Sequence, residues 1–266
     1  MLDGYGREIN YLRISVTSRC NLRCIYCVPE GDSPALSENR QLSIAEICRI
    51  ARIATNMGIR KIKLTGGEPL LRVGIVELVA MLSEINGIRD LSMSTNGILL
   101  SGLAKSLADA GLQRVNISLD TLNPNRYSQL TGGGNLSDVL AGIEAARKAG
   151  LKPIKLNCVV KNSSTEPDAQ QVAKFAAQNG FEIRFIRRMN LRSGEFWVVE
   201  GGSGGDCKTC NRIRLTADGL IRPCLFNDIS FSIDELGIDS AIREAISAKP
   251  ESGTFNRSCA FLSIGG

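Results

Sequence analysis

Histidine is absent from the 266 residues. That excludes imidazole acid–base catalysis, histidine-ligated zinc and the Ser-His or Cys-His nucleophile pairs. Chemistry in this chain has to come from thiolates, carboxylates, lysine, arginine or a bound cofactor. Also missing is any apolar run near the roughly 18 residues that a membrane crossing needs. Residues 1–10 are polar and glycine-rich, without the apolar stretch of a signal peptide. Neither sign of charge dominates. The net +5 is too weak to argue for nucleic acid, but it suits an anionic small molecule if the cations cluster. No internal repeat is visible. The expectation is a cytoplasmic protein with no nucleic-acid and no membrane partner.

What the chain does have is nine cysteines. In a secreted protein they would suggest disulfides, whereas clustered cysteines in a reducing cytosol more often bind metal. The 43% hydrophobic and 22% charged content is ordinary for a globular protein. The length allows one large α/β domain with a small appendage, or two modest domains.

From residue 10 to 189, short β-rich runs alternate with amphipathic helical stretches. Strands are expected at residues 11–17, 61–65, 91–95, 114–120, 154–160 and 181–187. Helices are expected at 43–57, 73–85, 103–110, 139–149 and 168–179, several stopped by glycine. Six strands joined by helices imply a parallel sheet with right-handed crossovers. Its ligand sites are expected at the carboxyl ends of the strands. The alternation ends after Met189. The run Gly201-Gly202-Ser203-Gly204-Gly205 has the composition of a flexible linker, either natural or an engineered replacement. The expected divisions are 1–189, a short Gly-rich linker at 190–205, and a cysteine-rich unit at 206–266.

Cys20, Cys24 and Cys27 form a Cys-x3-Cys-x2-Cys group after the first strand. Thiolates are soft ligands suited to iron–sulfur clusters, and three of them on a four-iron cubane leave one iron open to a small molecule. An incomplete zinc site, or a four-thiolate site borrowing a distant cysteine, remains an alternative. A second triplet is Cys207-x2-Cys210-x13-Cys224. The intervening residues alternate apolar and polar around Asp218-Gly219, which reads as a hairpin returning Cys224 towards Cys207 and Cys210. A zinc hairpin competes here, with Cys259 as the available fourth ligand. Cys48 and Cys158 sit on apolar patterns and read as core.

The first triplet, with Tyr26 before its last cysteine, resembles the signature of the radical S-adenosylmethionine (SAM) superfamily. Gly66-Gly67-Glu68-Pro69 after the second strand resembles that superfamily's Gly-Gly-Glu-Pro motif, where backbone groups hold the SAM amine. The glycines would let the chain approach a ligand closely. Thr95-Asn96-Gly97, Ser118 and Asp120 fall at strand ends around the same mouth. Ser118 and Met189 match SAM-contacting positions. Both triplets, the run 210–219 and the terminal Ile264-Gly265-Gly266 resemble the GTP 3′,8-cyclase (MoaA) family of molybdenum cofactor biosynthesis. The match covers 5–189 and 206–226 well and the tail more weakly.

That resemblance implies a partial (βα)6 radical SAM barrel with an auxiliary iron–sulfur extension. It implies a lyase with two [4Fe-4S] clusters, S-adenosyl-L-methionine, GTP and an external one-electron reductant; a homodimer is left open. Cys20, Cys24 and Cys27 would hold the catalytic cluster, and Cys207, Cys210 and Cys224 a second cluster that meets the guanine base. GTP would be held by Arg13, Lys63, Ser94, Lys155, Arg184, Arg212 and Arg214, the last two also counted as catalytic. Arg212 and Arg214, two apart on a strand, share a face, and arginine forks suit phosphate or a purine edge. In the implied reaction a 5′-deoxyadenosyl radical removes the ribose C3′ hydrogen, the C3′ radical attacks C8 of guanine, and reduction by one electron with uptake of a proton gives 3′,8-cyclo-GTP. The terminal glycines reach the active site in that family.

There are departures from the pattern. The segment between Met189 and Cys207 is several dozen residues short, Arg187 replaces an acidic residue, and Lys63 stands where arginine is common. Two other readings stay open. One is a related two-cluster enzyme acting on a peptide or another nucleotide. The other is a non-catalytic iron–sulfur or zinc protein.

Overall fold

The computed structural model describes residues 1–27, 40–257 and 264. Six parallel strands appear where the alternation placed them. They are β1 (Tyr11–Ser15), β2 (Lys61–Thr65), β3 (Asp90–Thr95), β4 (Arg114–Ser118), β5 (Lys155–Val160) and β6 (Glu182–Arg187). Between them run α1 (Ile44–Asn56), α2 (Ile75–Ser83), α3 (Ala104–Asp109), α4 (Pro124–Thr131), α5 (Leu136–Lys148) and α6 (Pro167–Asn179). α4 is an element that the periodicity misses. It is mostly polar and buries only Tyr127 and Thr131, although Asn123 caps it and Pro124 opens it.

The helices begin where side chains can satisfy their free N–H groups. At α1, the Ser43 hydroxyl accepts from the Glu46 N–H at 3.2 Å, and the Glu46 carboxylate accepts from the Ser43 N–H at 2.7 Å. This is a reciprocal capping box. Ile47, Ile50, Ala51 and Ala54 then line one buried face of α1.

After residue 206 come β7 (Arg212–Leu215), β8 (Leu220–Arg222), β9 (Phe231–Ser232), α7 (Ile233–Leu236) and α8 (Ile238–Ser247). These strands join the same sheet, whose order is β6-β5-β4-β3-β2-β1-β7-β8-β9. β7 lies parallel to β1, with Tyr11 opposite Arg212 and Arg13 opposite Arg214. β8 and β9 run antiparallel, as the Asp218-Gly219 hairpin predicts. The sheet ends at β6 and β9, so the barrel is open.

Side chains alternate across each strand. Leu12, Ile14, Ile62, Leu64, Met93, Val115, Ile117, Leu156, Ile213 and Leu215 are fully buried in one continuous apolar core shared with α1, α2, α5, α6 and α8. The opposite face carries Arg13, Lys63, Ser94, Asn116, Ser118, Asn157, Arg184 and Arg214, which all line one cavity. A fully covered parallel sheet normally reads as unbroken apolar runs. Here most inward residues are polar, Val159 and Ile186 excepted, because the concave face encloses a cavity of about 510 Å³ instead of packed side chains.

Among the described residues, no helix is long and apolar enough to cross a membrane. Cys48 and Cys158 are buried in the core. Cys259 and the terminal glycines lie outside the described residues.

Candidate active site

The two cysteine triplets lie at opposite ends of this cavity. Cys20, Cys24 and Cys27 follow the carboxyl end of β1. Cys207 and Cys210 precede β7, which is parallel to β1, and Cys224 follows the antiparallel β8. The second triplet therefore sits at the amino end. The expectation of ligand sites at the carboxyl ends does not extend to this triplet: a strand added parallel to β1, with a hairpin return, places its flanking residues at the other mouth. Five residues of strand separate the two ends, about 15–20 Å at the rise of a β-strand. All six cysteines are half-buried, free and line the cavity. Among the described residues, no three His, Cys, Asp or Glu side chains converge on one metal-ion position.

At the carboxyl end the cysteine loop is clamped on two sides. From β2, the Gly67 N–H donates to Thr17 O and the Glu68 N–H to Arg19 O, both at 2.8 Å. From the end of α4, Thr131 O and Leu130 O accept from the Arg23 and Ile25 N–H groups. A Cβ on Gly66 would lie 2.5 Å from Thr17 O; one on Gly67 would lie 2.8 Å from Ser18 O and on top of Arg19 O. The glycines are thus needed for the approach of the cysteine loop itself, a closer cause than the approach of a ligand.

Glu68 and Tyr26 also fasten this mouth. The Glu68 carboxylate accepts from the Leu70 N–H (3.0 Å), the Thr95 hydroxyl (2.7 Å) and the Asn96 N–H (2.7 Å). The Asn96 amide reaches back to Asn21 at 2.8 Å. The Tyr26 hydroxyl donates to Asp120 at 2.8 Å, and Asp120 also accepts from the Val159 N–H at 2.7 Å. Burial raises Glu68 to about 7 despite its three donors. It likewise raises Asp120 to about 6 against the opposing hydrogen bonds from Val159 and Tyr26. The Leu22 N–H already donates to Cys20 Sγ at 3.4 Å. A hydrogen bond with Cys24, and then burial, hold the proton on Cys27. Ser118 and Met189 line the same mouth.

Mid-cavity, Arg13 is flanked in register by Lys63 and Arg214. Like charges opposite each other destabilise a sheet. Burial, then the neighbouring cations led by Arg13, pushes Lys63 well below its ordinary value, and brings Arg214 to about 9. Buried Arg184 Nε and Asn157 Oδ1 have no hydrogen-bond partner among the described residues. Asp90, the nearby carboxylate, is held in a bidentate pair by Arg114 at 2.9 and 2.5 Å. Of the described lining residues, ten are Lys or Arg and four are Asp or Glu. Such a wall fits a polyanion.

Ser94 lines the cavity as expected. Lys155 does not: it forms an ion pair with Glu182, its register partner on β6. Arg212 donates to Ser203 O at 3.2 Å, and Arg214 donates to Ile264 O at 3.4 Å. The described part of the tail thus enters the site, with Ile264 fully buried.

Residues 190–205 are not a free linker. The Phe185 and Glu200 backbones exchange hydrogen bonds at 3.0 and 3.1 Å, and the Val199 N–H donates to Gly204 O at 2.7 Å. Gly205, at φ +78°, has no room for a Cβ beside Trp197 O. Residues 202–205 form cavity wall. Composition suggested flexibility, but close backbone contact is what demands these glycines. The Arg187 guanidinium lies 3.8 Å over the Trp197 ring and also faces the cavity.

Sequence reasoning passed over Asn116, Asn157, Arg114 and Lys249. For the three strand residues the available signal was the alternation of polar residues on strands expected to be apolar; Lys249, after α8, carries no such signal.

At the lower mouth, Arg7 donates to Cys207 O at 2.7 Å. The Lys249 ammonium donates to Arg212 O at 2.7 Å and Pro223 O at 2.8 Å. Burial would raise the Cys210 thiol, but Lys249 and Arg212 win and bring it to about 7.

An open parallel barrel with a clamped cysteine triplet over a cationic cavity defines a radical SAM enzyme, and residues 14–176 match the Radical SAM superfamily model. A [4Fe-4S] cluster and SAM go with that superfamily. The chain belongs more narrowly to the GTP 3′,8-cyclase family. It is 39% identical to the GTP 3′,8-cyclase of Thermodesulfovibrio yellowstonii over 292 aligned positions, covering 92% of this chain and 91% of the relative. That of Pelotomaculum thermopropionicum is 39% identical, with 94% of each chain covered. Since 92% of 266 residues is about 245, some 47 of the 292 positions have no counterpart here. This agrees with the short segment after Met189.

Among solved structures, Streptococcus suis SuiB bound to its precursor peptide SuiA superposes with TM-score 0.70 at 16% identity, covering 92% of this chain and 66% of that one. Native anSMEcpe with bound AdoMet gives 0.66 at 17%, covering 91% and 81%. At that identity the likeness is one of fold.

Two predictions follow from the upper mouth. Gly67→Ala should destabilise the apo protein by about 1–3 kcal/mol through overpacking, read from urea unfolding, and should lower iron retention. Between pH ~4.5 and ~7, folded Glu68 keeps a proton that the unfolded chain releases, and Asp120 does the same from ~4 to ~6. The folded state then binds more protons, so apo-protein stability falls as pH rises through this window. Melting temperatures across pH 4.5–8 should show that decline, and Glu68→Gln should flatten it.

Proposed function

We propose that this chain converts GTP to 3′,8-cyclo-GTP in molybdenum cofactor biosynthesis, with an iron–sulfur cluster at each mouth of the cavity. The observation that carries the reading is the placement of two cysteine triplets at opposite ends of one cation-lined channel. The donor sets fit: three half-buried thiols at each end suit a four-iron cluster with one open iron. Cys20, Cys24 and Cys27 would hold the first, and Cys207, Cys210 and Cys224 the second. When bound, the first cluster and SAM supply a 5′-deoxyadenosyl radical able to remove hydrogen from the ribose.

The protein's own side chains bind and orient. Tyr26, Gly66, Gly67, Glu68, Ser118 and Met189 shape the SAM end, with Tyr26 and Glu68 acting through the loop they fasten. Arg13, Lys63, Ser94 and Arg184 line the middle, where the triphosphate would offset their mutual repulsion. Arg212 and Arg214 reach the lower mouth and orient the base. Lys155 is assigned no contact, because Glu182 holds it. Phe196 stacks on Phe226 at 4.5 Å and, with Met189 and Leu225, forms an apolar wall that excludes water. An external one-electron donor is required.

Anaerobic reconstitution should load roughly eight irons per chain, the content of two four-iron clusters. With SAM, GTP and a strong reductant, it should yield 5′-deoxyadenosine and an isomer of GTP. Saturation at four irons with zinc in the second site would contradict the two-cluster reading. SAM cleavage that leaves GTP intact would favour a peptide or another nucleotide as substrate. Arg13→Met should weaken GTP binding about 10–100-fold, as expected for one charge-assisted contact, and leave SAM binding unchanged.

A further inference from the structure

Lys249 follows α8 and is 3% exposed. Its two acceptors are Arg212 O and Pro223 O. Arg212 stands two residues after Cys210, and Pro223 immediately precedes Cys224. One ammonium therefore ties together the two chain segments that present these cysteines. It lines the cavity, and its charge reaches both thiols.

Both acceptors are neutral carbonyls, and Lys249 forms no ion pair with a described residue. A buried ammonium without a counter-charge is costly, and Arg212 and Arg214 nearby deepen the excess of positive charge. Arg7 makes an instructive contrast. It binds Cys207 O, Glu251 O and Pro250 O at 2.6–2.9 Å, bracing the same triplet from the neighbouring stretch. Its charge, however, is neutralised by Asp3 at 2.6 Å. Of the two braces, only Lys249 carries unbalanced charge to the cysteines.

We propose that Lys249 is a positioning residue of the second cysteine site, fixing Cys210 and Cys224 and balancing the negative charge of the cluster they hold. The inference rests on the two-cluster reading above. A nearby cation favours the more negative, reduced state of a cluster and so raises its reduction potential.

The test uses the full chain, reconstituted anaerobically, with iron content and SAM binding measured. A redox titration followed by electron paramagnetic resonance is done in a background where Cys20, Cys24 and Cys27 are alanine, so the signal comes from the second site alone. Lys249→Met should shift that potential to more negative values, or lose half of the iron while the first site keeps its four atoms and binds SAM. Lys249→Arg should restore both. Arg7→Met should lower occupancy without moving the potential. Should Lys249→Met lose the iron of both sites, Lys249→Gln, uncharged but still able to donate, must show the negative shift. Full iron and an unmoved potential in the uncharged variants would overturn the proposal. A wild-type chain that binds only four irons would defeat the two-cluster reading first, and this proposal with it.

Discussion

The arrangement depends on one strand pairing. β7 hydrogen-bonds to β1 in parallel, across about two hundred residues of sequence, with Arg214 beside Arg13. That register fixes what stands at each end of the cavity. Residues after β1 reach the carboxyl mouth, and residues before β7 reach the amino mouth. Were β7 antiparallel, Cys207 and Cys210 would stand beside the first triplet. The channel between two sulfur-rich ends is thus a consequence of strand direction. The hairpin into β8 then returns Cys224 to the same mouth.

The second constraint is charge. Arg13, Lys63, Arg184 and Arg214 face a common space on the concave side of the sheet, and the apolar core lies behind the strands. The fold can bear this because the outward face of each strand buries Leu, Ile and Val against helices. Stability is supplied on one face and binding capacity on the other. Desolvated cations in register repel each other, and a polyanionic substrate would relieve that repulsion. The same logic singles out Lys249 at the far end.

Much of this was legible in the sequence, for identifiable reasons. Cysteine spacing and the Gly66-Gly67-Glu68 run are local patterns, and the six strands and five of the six intervening helices follow from local periodicity. The β1–β7 partnership is not local, so the second triplet could be recognised but not placed. Alternation puts Lys155 on the inward face with the other candidate cations. Only register reveals Glu182 directly opposite. The glycines at 201–205 have the composition of a flexible linker, yet Gly205 lies in tight backbone contact with Trp197. A polar wall and a linker share a composition; they differ in what the backbone touches.

The most direct test is the separation of the two proposed clusters, measured by pulsed dipolar electron paramagnetic resonance on the reduced, fully reconstituted protein. Strand length between the mouths predicts about 15–20 Å. A single paramagnetic centre, or two centres within about 10 Å of each other, would contradict the placement of the two triplets at opposite ends of the channel.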